Sequence, residues 1–424
     1  MSFSGQTFSS FPGGSVNVHI ANELLLIAKR SVVFQQLGEK AKMPEGEGKT
    51  FQFNRYNRLN LPQVPLTEGV PPSLTNLSLS TVQAVADQWG AYVALSDVAI
   101  LTIKHPLLQV AIELLGYQAA EMVDREIINV LLGSANVTFG GSATSRAGLT
   151  AASSMSLADI SVQTMVAALR GRGAHPYEAQ NYVGVIDPHM EQDIAQNSNN
   201  SFTLAAAYSN VKQLLNGEIG MWRGIRWMTS NLIPSLTTVA APSWSAPTSG
   251  GSFTNANYEC ILEYIDNTTG FVTQVSTPSA VAAAASGTIA VTTPTSTGYT
   301  YKVFIGIAGG GVGGPFYQAS EATQLFGAIA PASSCSFAAP PTSGSVGVVP
   351  GASAAGDAIH FGWVFGRQAY CTVDLQNLTT FVSSPIATTV DPLVQQRTVG
   401  YKLMFKPVIQ NDDFIQRFEG LSQF

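Results

Sequence analysis

Apolar positions recur along the chain with periods that change from segment to segment, and each period predicts a different element. Residues 22–37 place apolar side chains on an imperfect helical stripe, and Gly38 follows as a stop signal. Further on, His105 and Pro106 precede a long run without proline that extends to Leu132. This run predicts the longest helix, about 40 Å at 1.5 Å per residue. Its apolar face comprises Leu108, Ile112, Leu115, Ala119, Met122 and Val123, and its solvent side comprises Glu113, Glu121, Asp124 and Arg125.

Between these two helices the period changes to two. Phe51 and Phe53 alternate with polar residues, and so do Leu77 and Leu79. The sequence between the two predicted strands is rich in proline, which a buried sheet does not accept. We therefore expect a long hairpin that stands away from any core and depends on a neighbouring surface for its stability.

The middle and the end of the chain alternate between shorter helices and strands. A helix is predicted over residues 156–170, with Ser156 as its N-cap. An apolar strand over residues 182–186 ends at Asp187 and Pro188, which cap the next helix. Four strands are predicted in the last part of the chain, over residues 358–365, 369–375, 399–405 and 414–418.

Residues 243–355 differ in composition from the sequence on either side. They contain short β-type runs over residues 258–265, 288–293 and 299–307, separated by turn residues. Their only charged residues are Glu259, Glu263, Asp266, Lys302 and Glu321. This pattern predicts an immunoglobulin-like β-sandwich that is inserted into a larger domain and folds independently of it. The expected fold class is α+β with an all-β insertion.

The overall composition excludes several classes of protein. The chain has 424 residues, of which 45% are hydrophobic, so it is not mainly disordered. Charged residues make up only 11%, against roughly 25% in an average protein, and the resulting polar, uncharged surface favours packing against other subunits. A formal net charge of −6 argues against a protein that grips nucleic acid. Neither a secretion signal nor a membrane-spanning stretch is visible in the sequence.

The polar residues match no catalytic or metal-binding pattern. In the DPHMEQD stretch, Asp187, His189, Glu191 and Asp193 are candidate metal ligands, but the HExxH pattern is absent and a capped surface helix is favoured. The glycine run over residues 309–314 lacks the ending of a phosphate-binding loop and predicts a flexible turn. No nucleophile motif accompanies the five histidines. We therefore expect no enzymatic activity, no cofactor and no metal.

The three cysteines occur without the spacing of a disulfide framework or a zinc site. Three buried thiols, Cys260, Cys335 and Cys371, are the favoured interpretation. A disulfide between Cys260 and Cys335 across the sandwich is the alternative.

A group of mixed charges lies near the predicted arm helix and hairpin. DNA contact is one interpretation, but no aromatic residues are interleaved at the spacing of stacked bases. Pairing between subunits is favoured for these residues, which are Lys29, Arg30, Lys40, Lys42, Lys49, Arg55 and Arg58 beside Glu39, Glu45 and Glu47.

Taken in order, several stretches resemble a tailed-bacteriophage major capsid protein of the Hong Kong phage type, and more narrowly the family of N-four-like coliphage capsid subunits. The resemblance covers most of residues 20–233 and 356–424. It is carried by the stretches GKTFQFNRYNRL, PLTEGVPPS, HPLLQVAIELLGYQAAEMVDREIINVLLG, NGEIGMWRGIRWMTS, FGRQAYCTVDL and DPLVQQRTVGYKLMFKPVIQNDDFIQRFE.

The resemblance implies a division of the chain and a set of contact residues. It implies an N-arm at residues 1–47, an E-loop at 48–97, a peripheral domain with a spine helix at 98–180, an axial domain at 181–242, the inserted sandwich at 243–355, and return strands of the axial and peripheral domains at 356–424. The E-loop residues expected to contact a neighbouring subunit are Phe51, Phe53, Arg55, Arg58 and Glu68.

The resemblance also implies partners and a location. The subunit is expected to self-assemble into pentamers and hexamers of an icosahedral head in the host bacterial cytoplasm and to become part of the virion. Its other partners are a separate scaffolding protein, the portal, a decoration or cement protein bound to the shell, and packaged double-stranded DNA, which it contacts only weakly and non-specifically. An encapsulin-like compartment subunit is the alternative with the same fold. A secreted adhesin is disfavoured because the sequence shows no signal peptide and only one insert.

Overall fold

The computed structural model describes residues 32–44, 46, 48–57, 59, 61, 65, 68–69, 74–102, 107–149, 156–177, 180–197, 203–204, 218–306, 316–318, 329–330, 333–337, 358–382 and 395–422. These residues form the α-helices α1 (Asp97–Thr102), α2 (Leu107–Leu131), α3 (Asp159–Gly171) and α4 (Pro188–Asn197). Short 3-10 helices lie at Phe34–Gln36, Arg146–Gly148 and Asp412–Phe414.

The strands of the described residues fall into two groups along the chain. The first ten are β1 (Glu39–Lys42), β2 (Thr50–Tyr56), β3 (Leu79–Val85), β4 (Asp87–Ser96), β5 (Val137–Phe139), β6 (Tyr182–Ile186), β7 (Thr203–Leu204), β8 (Glu218–Trp222), β9 (Ile225–Thr229) and β10 (Thr237–Val239). The others are β11 (Trp244–Ser245), β12 (Ala256–Asp266), β13 (Val272–Ser276), β14 (Ser279–Ala283), β15 (Ile289–Thr292), β16 (Tyr299–Gly306), β17 (Phe316–Gln318), β18 (Ser334–Phe337), β19 (Ile359–Phe365), β20 (Tyr370–Val382), β21 (Gln396–Ile409) and β22 (Ile415–Leu421).

The main body is built on a seven-stranded sheet with the order β5-β22-β19-β6-β9-β8-β7. Every residue of its three central strands, β22, β19 and β6, is buried. Helices α3 and α4 cover one face, where Met165 and Ile194 pack with Trp227. Helix α2 covers the other face, where Ile128 and Leu131 pack with neighbours that include Trp363. Strand β6 reads as a continuous apolar run because the sheet is buried on both sides. Strand β22 also buries polar residues, namely Gln416, Arg417 and Glu419.

Helix α2 confirms the predicted long helix, although His105 and Pro106 lie outside the described residues. The predicted solvent side is wrong at one position, because Asp124 is 0% exposed. It lies three and four residues before Ile127 and Ile128, which are also fully buried, so it belongs to the buried stripe.

Two further expectations about helix ends are corrected. Helix α3 begins at Asp159 with Ala158 at the N-cap position, so Ser156 is not the cap and instead lies buried before the helix. Most of the predicted arm helix over residues 22–37 lies outside the described residues, and its end is a 3-10 helix at Phe34–Gln36. The cap of α4 is confirmed, since Asp187 Oδ1 accepts a hydrogen bond of 2.9 Å from the Met190 amide.

The predicted sandwich consists of two sheets. The larger has the order β10-β13-β12-β16-β17, with β14 also paired to β12, and the smaller has the order β11-β15-β18. The strands predicted within residues 258–307 are confirmed as β12, β15 and β16. The larger sheet also takes in β10, which precedes the expected boundary at residue 243.

Strand β12 buries both of its faces, and through them the sandwich shares an apolar core with the main body. Cys260 and Leu262 point between the two sheets of the sandwich. Ile261 points the opposite way and belongs to the apolar core of the main body, together with Phe304 and Trp363. The expectation of an independently folded module is therefore wrong, because one face of the larger sheet completes the core of the body.

The chain divides into two compact units. The first contains the described residues of Gly90–Ala119 and Leu378–Lys402, and the second contains the body and the sandwich. A four-stranded sheet has the order β1-β20-β21-β4, and β1 runs parallel to β20. None of the helices in the described part of the chain is long and apolar enough to cross a membrane.

The two faces of β12 allow a matched test of the shared core. Ile261 and Leu262 are both fully buried, on opposite sides of one strand. We expect Ile261→Ala and Leu262→Ala each to lower the free energy of unfolding by about 2–5 kcal/mol, the usual range for a large aliphatic residue in a core. Urea unfolding of the soluble subunit measures both. An Ile261→Ala variant as stable as the wild type would show that this face of the sheet is not packed against the body.

Candidate assembly surface

The predicted hairpin is present and is made of β2 and β3. These antiparallel strands pair from Thr50 opposite Val85 to Tyr56 opposite Leu79. We call residues 50–85 the ribbon. Arg55 and Glu68 lie exposed on it, and Arg58 lies outside the described residues.

The base of the ribbon is attached to its own subunit. Phe51 and Phe53 stack edge to face, with ring centroids 4.8 Å apart. Both pack against a small apolar cluster that includes Met43 and Cys371. The expectation that the hairpin stands away from any core is therefore wrong at its base. The assignment of these two phenylalanines to a contact between subunits stays a prediction.

Beyond its base the ribbon exposes large apolar side chains to solvent. Leu74 is 88% exposed, and the others that are mostly or substantially exposed are Tyr56, Leu59, Leu61, Leu77 and Leu79. At the base itself, Val85 is also exposed. Concentrated exposed apolar surface of this kind marks a site of association, and an unpaired strand edge is itself a template for pairing.

The first unit shows a second concentration of exposed apolar side chains. Leu101 at the end of α1 is 83% exposed, and the others are Tyr92, Val93, Val98, Ile112, Leu114, Leu378, Phe381 and Val382. In the rest of the described chain, the large hydrophobic side chain with comparable exposure is Ile160, at 67%. Exposed apolar surface is thus confined almost wholly to the ribbon and the first unit, which together we call the candidate assembly surface.

Asp124 fixes the segment from which the N-terminal residues leave the body. Its carboxylate accepts hydrogen bonds from the backbone amides of Val33 at 2.7 Å, Phe34 at 3.1 Å and Gln35 at 3.0 Å. The Tyr370 hydroxyl donates to the Phe34 carbonyl at 2.6 Å. Burial raises the pKa of Asp124 to about 6, and the three amides act in the opposite direction. The carboxylate therefore holds this turn, and the part of the chain that the structure describes offers no other acceptor for these amides.

The candidate metal ligands of the DPHMEQD stretch have structural roles. Asp187 caps α4 with one carboxylate oxygen, and its other oxygen is hydrogen-bonded to Nδ1 of His360. Glu191 accepts a hydrogen bond from the Thr229 hydroxyl at 2.9 Å. Asp193 lies on the buried face of α4, whereas His189, Gln192 and Gln196 are exposed, so α4 is the capped surface helix expected. Among the described residues, no group of three or more His, Cys, Asp or Glu side chains is placed to hold a metal ion.

The cysteines are buried free thiols, as the favoured interpretation predicted. Burial raises the pKa of Cys260 to about 12 and that of Cys371 to about 11. Such thiols are protonated at neutral pH, which makes them poor nucleophiles.

The family of the chain follows from a comparison with family models. The model described as phage capsid protein matches residues 79–310, which is more than half of the chain. The chain therefore belongs to the phage capsid protein family, and it is a major capsid subunit of a bacteriophage head. A comparison with curated proteins gave no match.

Solved structures with the same fold come from phage capsids. The capsid of Ralstonia phage GP4 matches with a TM-score of 0.54 and 13% identity, over 99% of this chain and 99% of that chain. The capsid of cyanophage Pam1 matches with a TM-score of 0.54 and 12% identity, over 98% and 99%. The capsid of cyanophage P-SCSP1u matches with a TM-score of 0.51 and 14% identity, over 100% and 99%. At these identities the likeness concerns the fold.

Removing one oxygen of the Asp124 carboxylate tests its role at the start of the arm. In an Asp124→Asn variant, an NH2 group replaces one carboxylate oxygen. This group is a hydrogen-bond donor, so it faces a backbone N–H without forming a hydrogen bond. We expect the amides of Val33, Phe34 and Gln35 to exchange hydrogen about tenfold faster, which corresponds to the loss of about one hydrogen bond. Hydrogen-exchange mass spectrometry of peptides covering these residues measures the effect. Glu113→Gln, at an exposed position of the same helix, is the control and should change nothing there.

The pKa of Asp124 also predicts how stability depends on pH. Because its pKa is about 6 in the folded subunit and near 3.9 in an unfolded chain, the folded state binds the proton more tightly. The stability contributed by this group is therefore present at pH 4 and is lost as the pH rises through 6. We expect the difference in unfolding free energy between the wild type and Asp124→Asn to fall by up to about 3 kcal/mol from pH 4 to pH 7. Parallel stability curves for the two proteins would contradict this.

Proposed function

We propose that this subunit builds an icosahedral head from pentamers and hexamers, and that its ribbon and first unit make the contacts between copies. The concentration of exposed apolar side chains on the candidate assembly surface carries this proposal. A neighbouring copy that covers this surface removes it from water, which is the main driving force of association. Closed symmetry then limits the number of copies.

We propose the same division of the chain as the sequence predicts. The ribbon fits the E-loop role because its base packs against its own subunit while Leu74 and Leu77 are exposed. Helix α2 fits the spine helix because it is the longest helix of the described residues, with 25 residues. The Asp124 site supports an N-arm whose first fixed point is the turn at Phe34–Gln36. These roles are consistent with the N-four-like type.

For the sandwich, we propose an immunoglobulin-like module that braces its own subunit. Two sheets facing each other across one apolar core support the comparison with that architecture. The composition of residues 243–355 by itself favours a module displayed on the outer surface of the shell. The second buried face of the larger sheet instead supports bracing. A decoration or cement protein bound at the rim of this module is compatible with the same arrangement.

Further partners follow from the same proposal. A separate scaffolding protein and a portal would act during assembly in the host cytoplasm, and packaged DNA would be contacted weakly because the subunit is net negative. The subunit has no enzymatic role in this proposal. An encapsulin-like compartment is not favoured, since the family model and the structures described above are those of phage capsids.

Charged substitutions on the ribbon test the proposed contact. Leu74→Asp combined with Leu77→Asp alters two exposed side chains, so the stability of the isolated subunit should change by no more than about 0.5 kcal/mol. We expect this variant, expressed with its scaffolding protein, to remain soluble but to form no shells in negative-stain micrographs. These positions are better suited than Phe51 and Phe53, whose substitution would also disturb packing within the subunit.

Ile160→Asp is the matched control, because Ile160 is comparably exposed but lies on α3, outside the candidate assembly surface. It should leave shell yield and diameter unchanged. Normal shells from the ribbon variant, or an equal loss of shells from the Ile160 variant, would refute the proposed role of the ribbon.

A further inference from the structure

A cavity lies between the body-facing side of the sandwich and the end of helix α2. Its volume is about 360 Å³, within the usual range for small-molecule sites of roughly 300–1,000 Å³. Most of its lining is apolar and includes Phe271, Val275 and Phe361. Three ionisable side chains, those of Glu263, Lys302 and Arg146, also line it.

Glu263 is an unusual residue to find at this position. It lies on β12, on the face that packs against the body, and is 3% exposed. Its Oε1 atom has no hydrogen-bond partner among the described residues. Burial raises the pKa of Glu263 to about 7, with Lys302 and Arg146 acting in the opposite direction. A buried carboxyl oxygen without a hydrogen-bond partner destabilises a fold, so the packing of the sandwich does not account for the free Oε1 atom.

The two basic residues differ in how far their charge is already neutralised. Arg146 donates to both carboxylate oxygens of Glu419, at 2.5 and 2.7 Å. Lys302 lies directly opposite Glu263 on the neighbouring strand β16, and within the described chain no carboxylate forms an ion pair with it. Strand β13 and the end of α2 present only uncharged residues to the cavity. Glu419 also pairs with Arg417, at 3.0 Å, so it neutralises Arg146 only in part. With Glu263 protonated, Lys302 is the cation of the cavity lining that no carboxylate of the described residues pairs with.

We propose that this cavity binds a small carboxylate with an apolar tail. The head group shares one proton with Glu263 and faces Lys302, and the tail lies against Phe271, Val275 and Phe361. Each part of the ligand then matches one feature of the lining. The negative charge of the carboxylate compensates Lys302, one carboxylate oxygen is a hydrogen-bonding partner for Oε1 of Glu263, and the hydrocarbon tail covers the apolar wall.

Other ligand classes fit less well. An ammonium group is repelled by Lys302 and Arg146, and an alcohol leaves the charge of Lys302 uncompensated. A small inorganic anion leaves the apolar wall uncovered. The carboxylate enters as an anion, so the complex requires Glu263 in its protonated form. When Glu263 is ionised before binding, the protein therefore takes up one proton as the ligand binds.

Octanoate is the probe for a calorimetric titration of assembled particles or soluble subunits. We expect binding at pH 6 that weakens about tenfold for each pH unit above 7, because one proton is taken up. Titrations in two buffers of different ionisation enthalpy should show this uptake directly. From butanoate to octanoate, each added methylene should tighten binding about threefold to fourfold. Octan-1-ol and octylammonium should bind at least tenfold more weakly than octanoate.

Three variants assign the binding to the cavity. Glu263→Gln should abolish the dependence of octanoate binding on pH between 6 and 8, and Lys302→Gln should weaken binding about tenfold or more. Glu259→Gln is the matched control, because Glu259 lies on the same strand but does not line the cavity, and it should bind as the wild type does. If Glu263→Gln does not fold, Lys302→Gln still tests whether the lysine charge contributes to binding, because Lys302 is only half-buried and its substitution disturbs the core less.

Several results would overturn the proposal. No octanoate binding at millimolar concentration would mean that the cavity holds only water. Octan-1-ol binding as tightly as octanoate would remove the role of Lys302. Binding without proton uptake, or equal pH dependence in the wild type and Glu263→Gln, would remove the role of Glu263.

Discussion

Asp124 joins three parts of the subunit through one buried carboxylate. It stands on α2, accepts the backbone amides of the turn at Phe34–Gln36, and lies where that turn meets the central sheet. Phe34 enters the same core and packs edge-on against Trp363, with ring centroids 5.8 Å apart. Desolvating a carboxylate is unfavourable unless its oxygens are hydrogen-bonded. The buried Asp124 carboxylate therefore requires the backbone amides of this turn beside it. The position of the turn at Phe34–Gln36 against α2 is set by this requirement.

The larger sheet of the sandwich obeys a second constraint, since it buries a different apolar set on each side. Leu262 and its neighbours belong to the sandwich, whereas Ile261 and Phe304 belong to the body. The insertion therefore extends the architecture of the body by one layer. Its few charges follow from this arrangement, because a sheet with two packed faces has little room for solvated side chains.

Elements with a strong local pattern were predictable from the sequence. Helix α2, the buried strand β6 and the four strands from β19 to β22 lie where periodicity placed them. Contacts between residues far apart in the chain were not predictable. The burial of Asp124 depends on amides some 90 residues earlier, although its spacing from Ile127 and Ile128 was a usable signal. The low number of charged residues in the sandwich indicated a domain boundary. Composition does not show which residues pack together, so it could not predict that the sandwich shares an apolar core with the body.

The location of the ion pairs among the described residues has a consequence for how the stability of the shell depends on temperature and salt. They join residues within the second unit, such as Arg226 with Glu218 and Arg417 with Glu419, whereas the candidate assembly surface carries nearly all the exposed large apolar side chains of the described residues. Attraction between hydrocarbon surfaces weakens on cooling and strengthens in sulfate or phosphate. A head assembled through such a surface loosens in the cold and is consolidated by those salts, which is the opposite of a shell held by charge.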